Sequence, residues 1–160
     1  MNIVIPKPVN EVLNIINEKG YEAYLVGGAV RNWVMDLKPS NYNISTNASL
    51  EEIKKALKGY QTFYCGENDS HLGIVNTKFP MEVAKYRTDE NTLEADLATR
   101  DFTMNALAYS DEDGLIDYNT GVIDIKNKVI KVNGEDDEIF VNDPLRIIRA
   151  IRLSAEYAMR

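Results

Sequence analysis

The sequence predicts an α+β domain, a small mixed β-sheet flanked by helices. Three observations support this. Val9, Val12, Leu13 and Ile16 repeat at the i, i+3, i+4, i+7 spacing of an amphipathic helix, and Gly20 supplies its stop. Ser49-Leu50-Glu51-Glu52 is a capping box, the serine closing a helix start and Glu52 standing at the reciprocal position. Short apolar or alternating runs recur between such helical pieces, the length and pattern of strands.

The elements follow in order. Tyr24-Leu25-Val26 reads as a short buried strand that runs into Gly27-Gly28. A second helix starts near Ala29 and ends before Pro39, because the residue preceding a proline avoids helical geometry. Asn41 to Ser45 alternates polar and apolar, as a strand does. The capped helix buries Leu50, Ile53, Ala56 and Leu57 and stops at Gly59. Strands are expected at Gln61 to Cys65, Gly73 to Thr77 and Met81 to Tyr86, the last two forming a hairpin around Lys78-Phe79-Pro80. Leu93 to Tyr109 has a helical pattern, with Thr99 and Thr103 lowering its propensity. Leu115 to Tyr118 and Val129 to Val132 read as short strands, with a turn at Asn119-Thr120-Gly121. An acidic loop, 134–138, precedes a final helix from Asp143, with Pro144 in its first turn. The expected organisation is a main domain over 1–133, then the acidic loop and the start of a helical segment over 134–160.

Composition narrows the function. At 160 residues, 44% hydrophobic and 27% charged, the chain can bury a proper core. A net charge of −7 argues against a broad basic face, so any contact with RNA phosphates needs a local cluster of Lys and Arg. Cys65 is the only cysteine, which rules out an intramolecular disulfide and a Cys-rich zinc pattern; a reducing compartment, the cytoplasm, is the expected location. No apolar run approaches the length of a membrane span, and the first eight residues do not form a signal peptide.

Five segments carry candidate chemistry. In Leu25-Val26-Gly27-Gly28-Ala29-Val30-Arg31, glycines after a strand let backbone approach a phosphate, the helix start offers N–H donors, and Arg31 reaches the same place. In Ser40-Asn41-Tyr42-Asn43-Ile44, Asn41 and Asn43 are two apart on one strand and project side by side. Glu82, in Pro80-Met81-Glu82-Val83, is either a carboxylate near that pair or an exposed strand residue paired with Lys85 or Arg87. The remaining two are Thr99-Arg100-Asp101-Phe102-Thr103-Met104-Asn105-Ala106 and Asn142-Asp143-Pro144-Leu145-Arg146, the latter followed by Arg149. Asp143 and Arg146, at i and i+3, share a helix face.

Together these blocks resemble class II tRNA nucleotidyltransferases (CCA-adding enzymes) and bacterial poly(A) polymerases. The resemblance runs from about Ala23 to the last residue. It implies a polymerase-β-like nucleotidyltransferase head with the first neck helix; the rest of the neck, the body and the tail would grip the acceptor arm of tRNA. In that family a Gly-Gly turn precedes an Asp-x-Asp pair that holds two magnesium ions, and the ions activate the attacking hydroxyl and stabilise the leaving pyrophosphate. The later strand carries an additional acidic residue, here Glu82. An Arg-Arg-Asp-Phe-Thr-x-Asn-Ala motif contacts ribose and triphosphate, and a Glu-Asp-x-x-Arg element reads the base. A carboxylate accepts from the exocyclic amine of C or A, and a guanidinium donates to ring acceptors.

Mapped residue by residue, the resemblance gives Gly27, Gly28 and Arg31 to phosphate, Arg100, Asp101 and Asn105 to the ribose end, and Asp143 with Arg146, followed by Arg149, to the base. The departures are as telling. Asn41 and Asn43 stand at the metal-binding positions, Asn32 and Asn142 at two further acidic ones, Thr99 at the first arginine, and the segment between Arg87 and Asp96 is short. The leading expectation is therefore a catalytically impaired nucleotidyltransferase-like domain that keeps a CTP/ATP-type pocket and holds no metal as written. The alternatives are a fragment or inactivated variant of an enzyme that adds C or A to RNA 3′ ends, and a protein-interaction module using Ile147, Ile148, Ile151, Leu153 and Tyr157.

Overall fold

The computed structural model of the protein describes residues 3–75, 78–134 and 145–158. Helix α1 (Lys7–Glu18) leads into strand β1 (Ala23–Val26), then α2 (Gly28–Val34), β2 (Tyr42–Thr46) and α3 (Leu50–Ala56). Strands β3 (Thr62–Cys65), β4 (His71–Ile74) and β5 (Met81–Lys85) follow. After α4 (Leu93–Ala98) come β6 (Ala108–Ser110), β7 (Gly114–Ile116), α5 (Gly121–Lys126) and α6 (Leu145–Tyr157). The strands form one sheet in the order β3-β4-β5-β2-β1-β6-β7. Only β2 and β5 run parallel, so the sheet is mixed, as the sequence predicts.

One face of the sheet holds the main core. Val9, Val12, Leu13 and Ile16 of α1 and Ile53 of α3 pack with Leu25, Ile44, Leu72 and Val83 of the strands, all at most 4% exposed. Trp33 of α2 closes this layer against Tyr42 and Tyr109. On the opposite face Leu93 and Leu97 of α4 join Val26, Tyr86, Ala106 and Ala108 in a second cluster, which covers one end of it among the described residues. Directly paired strand residues point to one side. The ladder therefore sets Phe63, Gly73, Glu82, Asn43 and Val26 in one row across this half-covered face.

The α3 capping box forms as read: Ser49 Oγ accepts from the Glu52 N–H at 3.2 Å and Glu52 accepts from the Ser49 N–H at 3.0 Å. The β4–β5 pair is the expected antiparallel one, although β4 begins at His71 and ends at Ile74, with Asn76 and Thr77 outside the described residues. Helix α2 ends at Val34, well before Pro39, where the Leu37 N–H reaches back to Asn32 O at 2.7 Å and Asp36 takes a positive φ of 58°.

The continuous helix expected over Leu93 to Tyr109 does not form. It stops at Ala98, turns once as a 3₁₀ segment at Thr103–Asn105, and becomes strand β6. Tertiary partners take the hydrogen bonds a helix would have made: Thr103 N–H donates to Lys131 O, Asn133 N–H to Asp101 O, and the Asn133 amide to Leu97 O, each at 3.0 Å. Two smaller corrections concern the following region. Gly121–Lys126 is helix α5 rather than the continuation of a turn, because Asp117 accepts from the N–H groups of Gly121 and Val122 at its start. Of the strand expected over Val129 to Val132, a single bridge between Val132 and Phe102 exists.

Two substitutions test this framework. Ser49→Ala removes the cap and costs about 1 kcal/mol, read as a melting-temperature loss of about 3 °C. Gly121 is pressed against the irregular segment so closely that an added Cβ would lie 2.1 Å from Thr103 O. Gly121→Ala is expected to cost about 1–3 kcal/mol by overpacking, measurable by urea denaturation.

Candidate functional site

The uncovered part of the sheet opens into a cleft of about 720 Å³. Among the described residues six cationic side chains line it, Arg31, Lys85, Arg87, Arg100, Arg146 and Arg149, against two carboxylates, Glu67 and Asp101. A protein of net charge −7 has thus gathered positive charge in one concave place. Gly27, Gly28, Asn43, Thr99 and Asn105 complete the part of the wall that the sequence motifs supply.

Arg31, Arg100 and Arg149 are each positioned by specific partners. Gly27 turns the chain from β1 into α2 with φ 74° and ψ −134°, backbone open to glycine alone, and this aims α2 along the cleft. Arg31, one turn on, donates from Nη1 to Asn105 Oδ1 at 2.8 Å and from Nη2 to the Tyr157 hydroxyl at 2.9 Å. Its guanidinium also lies 4.9 Å from the centre of the Tyr157 ring.

Arg100 leans on Asp96 of α4 at 3.2 Å and on Ser45 Oγ of β2 at 3.2 Å. Asp96 is fully buried, and its other oxygen accepts from the Arg87 N–H at 2.8 Å. One buried carboxylate therefore aligns two cleft arginines. Arg100 Nε is buried with no hydrogen-bond partner among the described residues. Arg87 keeps an exposed surface, yet the crowding of the cleft wall and then the nearby Arg100 hold its pKa below the usual arginine value.

Asp101 caps its own loop, accepting from Phe102 N–H at 2.8 Å and from the Asn105 amide at 3.2 Å, and its second oxygen faces Arg149 Nε at 3.7 Å. Arg146 and Arg149 reach the cleft from α6; Asp143 lies outside the described residues. Asn41 stands exposed just before β2, while Asn43 lies on it directly opposite Glu82 of β5. Glu82 bonds neither Lys85 nor Arg87 but His71 Nδ1, at 3.2 Å, and the Cys65 thiol.

Magnesium requires hard oxygen ligands, usually carboxylates. Among the described residues no group of three His, Cys, Asp or Glu side chains is arranged to hold a metal ion. Asn41 and Asn43 offer neutral amides and Glu82 is engaged by a histidine, so the residues present do not fit a two-magnesium centre.

A family described as Poly A polymerase head domain matches residues 23–131, more than half of the chain. The chain belongs to this family. The CCA-adding enzyme of Staphylococcus aureus (strain MRSA252) is 33% identical over 159 residues, spanning 91% of this chain and 39% of that protein. Poly(A) polymerase I of Escherichia coli O6:H1 is 31% identical over 178 residues, spanning 94% of this chain and 37% of that protein. Among solved structures, the Bacillus stearothermophilus CCA-adding enzyme in complex with CTP superposes with a TM-score of 0.81 at 33% identity, over 94% of this chain and 40% of that one. This chain thus spans about two fifths of the length of the relatives it matches.

As a head domain of this family, the chain brings Gly27, Gly28, Arg31, Asn43, Arg100, Asp101, Asn105, Arg146 and Arg149 to one cleft. Sequence reasoning missed Asp96, Arg87, His71 and Tyr157. The Asp96–Arg100 spacing of i, i+4 was the available signal for the first; the other three depend on sheet register and on the docking of α6. No helix among the described residues is long and apolar enough to cross a membrane.

Asp96→Ala strands the Arg100 guanidinium beside an apolar hole. The expected loss is about 3–5 kcal/mol, seen as a large drop in the urea midpoint, whereas exposed Glu94→Ala on the same helix leaves the midpoint within error.

Proposed function

We propose that this head domain binds a CTP- or ATP-type nucleotide without needing magnesium and is impaired in nucleotidyl transfer. The observation that carries this is the pairing of six cleft cations with amides, not carboxylates, at positions 41 and 43. A triphosphate brings about four negative charges. Two carboxylates beside it with no metal between would repel it, each by about 4 kcal/mol at ~4 Å and an effective dielectric of ~20. Amides remove that repulsion, and they also remove the ligands that would recruit magnesium.

In this reading Gly27, Gly28 and Arg31 meet phosphate, Arg100, Asp101 and Asn105 the ribose end, and Arg146 with Asp143 and Arg149 the base. Solved structures of CCA-adding enzymes with CTP and with ATP, and of a tRNA nucleotidyltransferase with a primer tRNA and an incoming ATP analogue, are among those similar to this chain, which supports nucleotide and RNA as the partner classes. The location that suits such a domain is the cytoplasm. Protein partners are a second reading, favoured by Leu145, Ile147, Ile148 and Ile151, which stand 47–66% exposed on α6, while Leu153 is buried and Tyr157 is held by Arg31.

Calorimetric titration of CTP and ATP, with magnesium and then with EDTA, tests the main reading. Base-selective binding of equal strength in both conditions is expected, falling about 10- to 100-fold in Arg146→Ala. Absence of binding in either condition would overturn it. Asn41→Asp with Asn43→Asp should make binding magnesium-dependent; if the double variant still ignores magnesium, the amides are not what sets the metal requirement.

A further inference from the structure

The sheet ends on β3 and β7, and the two edges are built differently. β7 opens on Gly114 and carries a carboxylate at each end, Asp113 before it and Asp117 after. Charges at an edge are how natural sheets discourage pairing with another chain. β3 and the residue before it, Gln61-Thr62-Phe63-Tyr64-Cys65, hold no charge, proline or glycine, and Thr, Phe and Tyr are strong strand formers. We infer that β3 is the contact between two copies of this chain, which join edge to edge and antiparallel about a two-fold axis at Phe63. The inference does not rest on the nucleotide-binding reading.

The first observation is exposure. Phe63 and Tyr64 project to opposite faces of β3, and each is 49% exposed. Among the described residues no other strand leaves a large apolar side chain so exposed. Neither ring shields the edge itself. Phe63 leans inward over β4, so closely that a Cβ added at Gly73 would lie 2.3 Å from its Cζ. Tyr64 is held toward α3 by Lys54, whose Nζ donates to its hydroxyl at 3.2 Å. The outer backbone of β3 is therefore open to a second strand.

The second observation is hydrogen-bond phase. Val75 N–H donates to Gln61 O at 2.8 Å, and the register continues with Phe63 opposite Gly73 and Cys65 opposite His71. Bonded pairs alternate along an antiparallel ladder, so Gln61, Phe63 and Cys65 turn their N–H and C=O groups toward β4. Thr62 and Tyr64 turn theirs outward. A two-fold at Phe63 sets Thr62 of each copy opposite Tyr64 of the other, and each such pair exchanges two hydrogen bonds. Phe63 then faces its own counterpart in the narrow, non-bonded position, where an aromatic pair adds to the seam.

The third observation is charge. Lys58 lies just before the strand and Glu67 and Asp69 just after it, all three exposed. Antiparallel pairing about Phe63 lays the basic approach of each β3 beside the acidic exit of the other, whereas a parallel arrangement sets like charges together. Such self-complementarity is what a two-fold contact between identical surfaces requires, and it selects a second copy over an unrelated strand. The loop leaving β3 also supplies Glu67, Asn68 and Ser70 to the cleft wall, so pairing steadies that wall.

The test is sedimentation velocity of the full chain over a wide range of concentrations, for the natural sequence and for Thr62→Pro, Phe63→Lys and Ile148→Lys. Thr62→Pro removes an outward N–H that β4 does not use, a position where an edge strand tolerates proline. Phe63→Lys sets two ammoniums opposite each other at the axis and leaves the backbone alone, so it decides the matter if the proline variant fails to fold. The natural sequence is expected to dimerise, and both edge variants to weaken the dimer by about tenfold or more. Ile148→Lys, on the exposed face of α6, should leave it unchanged. Register is read by oxidation in a Cys65→Ser background. Phe63→Cys should cross-link the dimer, because its counterpart lies directly opposite, while Tyr64→Cys, whose counterpart is diagonal, should not.

A natural sequence that stays monomeric at every concentration would overturn the inference. So would a dimer that survives Phe63→Lys, or one lost in Ile148→Lys but kept in the edge variants, which would move the contact to α6. Equal cross-linking of the Phe63→Cys and Tyr64→Cys proteins would overturn it as well, since it denies the two-fold at Phe63. None of these outcomes bears on CTP binding, so this inference and the nucleotide reading stand or fall separately.

Discussion

The cleft depends on a stretch of chain with almost no regular structure, from Thr99 to Leu107, that is nonetheless largely buried. Buried backbone must have its N–H and C=O groups paired, and here the partners come from distant sequence. Asn133 takes Leu97 O and Asp101 O, Lys131 O takes the Thr103 N–H, and Leu107 O takes the N–H of Gly27 at 3.1 Å. Asp124 accepts the Thr103 hydroxyl. Because this segment carries Arg100, Asp101 and Asn105, fixing its backbone fixes three cleft side chains at once. Through Asn105 and Asp101 it also steadies Arg31 on α2 and Arg149 on α6. The connecting region of α5 and its flanks, chemically plain in itself, is thus the brace of the site.

Electrostatics explains why so many supports are needed. Guanidiniums brought together repel one another; the pKa of Arg87 is lowered first by burial and then by the neighbouring Arg100. Carboxylates offset this: Asp96 is fully buried under Arg100, and Asp101, on the cleft wall itself, stands between its own loop and Arg149. Among the described residues cations outnumber carboxylates on the cleft wall, a balance that favours an anion there even though the chain as a whole is acidic.

Local chemistry was legible in the sequence and tertiary compensation was not. The Ser49–Glu52 box forms because both partners lie within one turn, so nothing remote can override it. The helical pattern of Leu93 to Tyr109 was real as a pattern, but Asn133 and Lys131 offered its backbone other partners and Ala108 was needed to pair with Val26. Helix α5 was missed because its six residues are too few to display a period. Arg31, Arg100, Arg146 and Arg149 were found through motif resemblance, which carries information that spacing alone lacks, whereas Arg87 was not. Asp96 and His71 escaped because their roles exist only once α4 and the β4–β5 ladder are assembled.

Amides at 41 and 43 change what the cleft favours. A carboxylate on β2 can only accept hydrogen bonds and carries a charge that, without a metal, opposes a triphosphate. An asparagine there is neutral and offers two donors with its acceptor. Asn43 lines the cationic cleft, so its amide can serve a phosphate without repelling it. Glu82, the one carboxylate opposite it in register, is turned toward His71, which takes up part of its hydrogen-bonding capacity. The same amide chemistry that offers magnesium no carboxylate pair at 41 and 43 is therefore electrostatically consistent with the metal-free nucleotide binding proposed above.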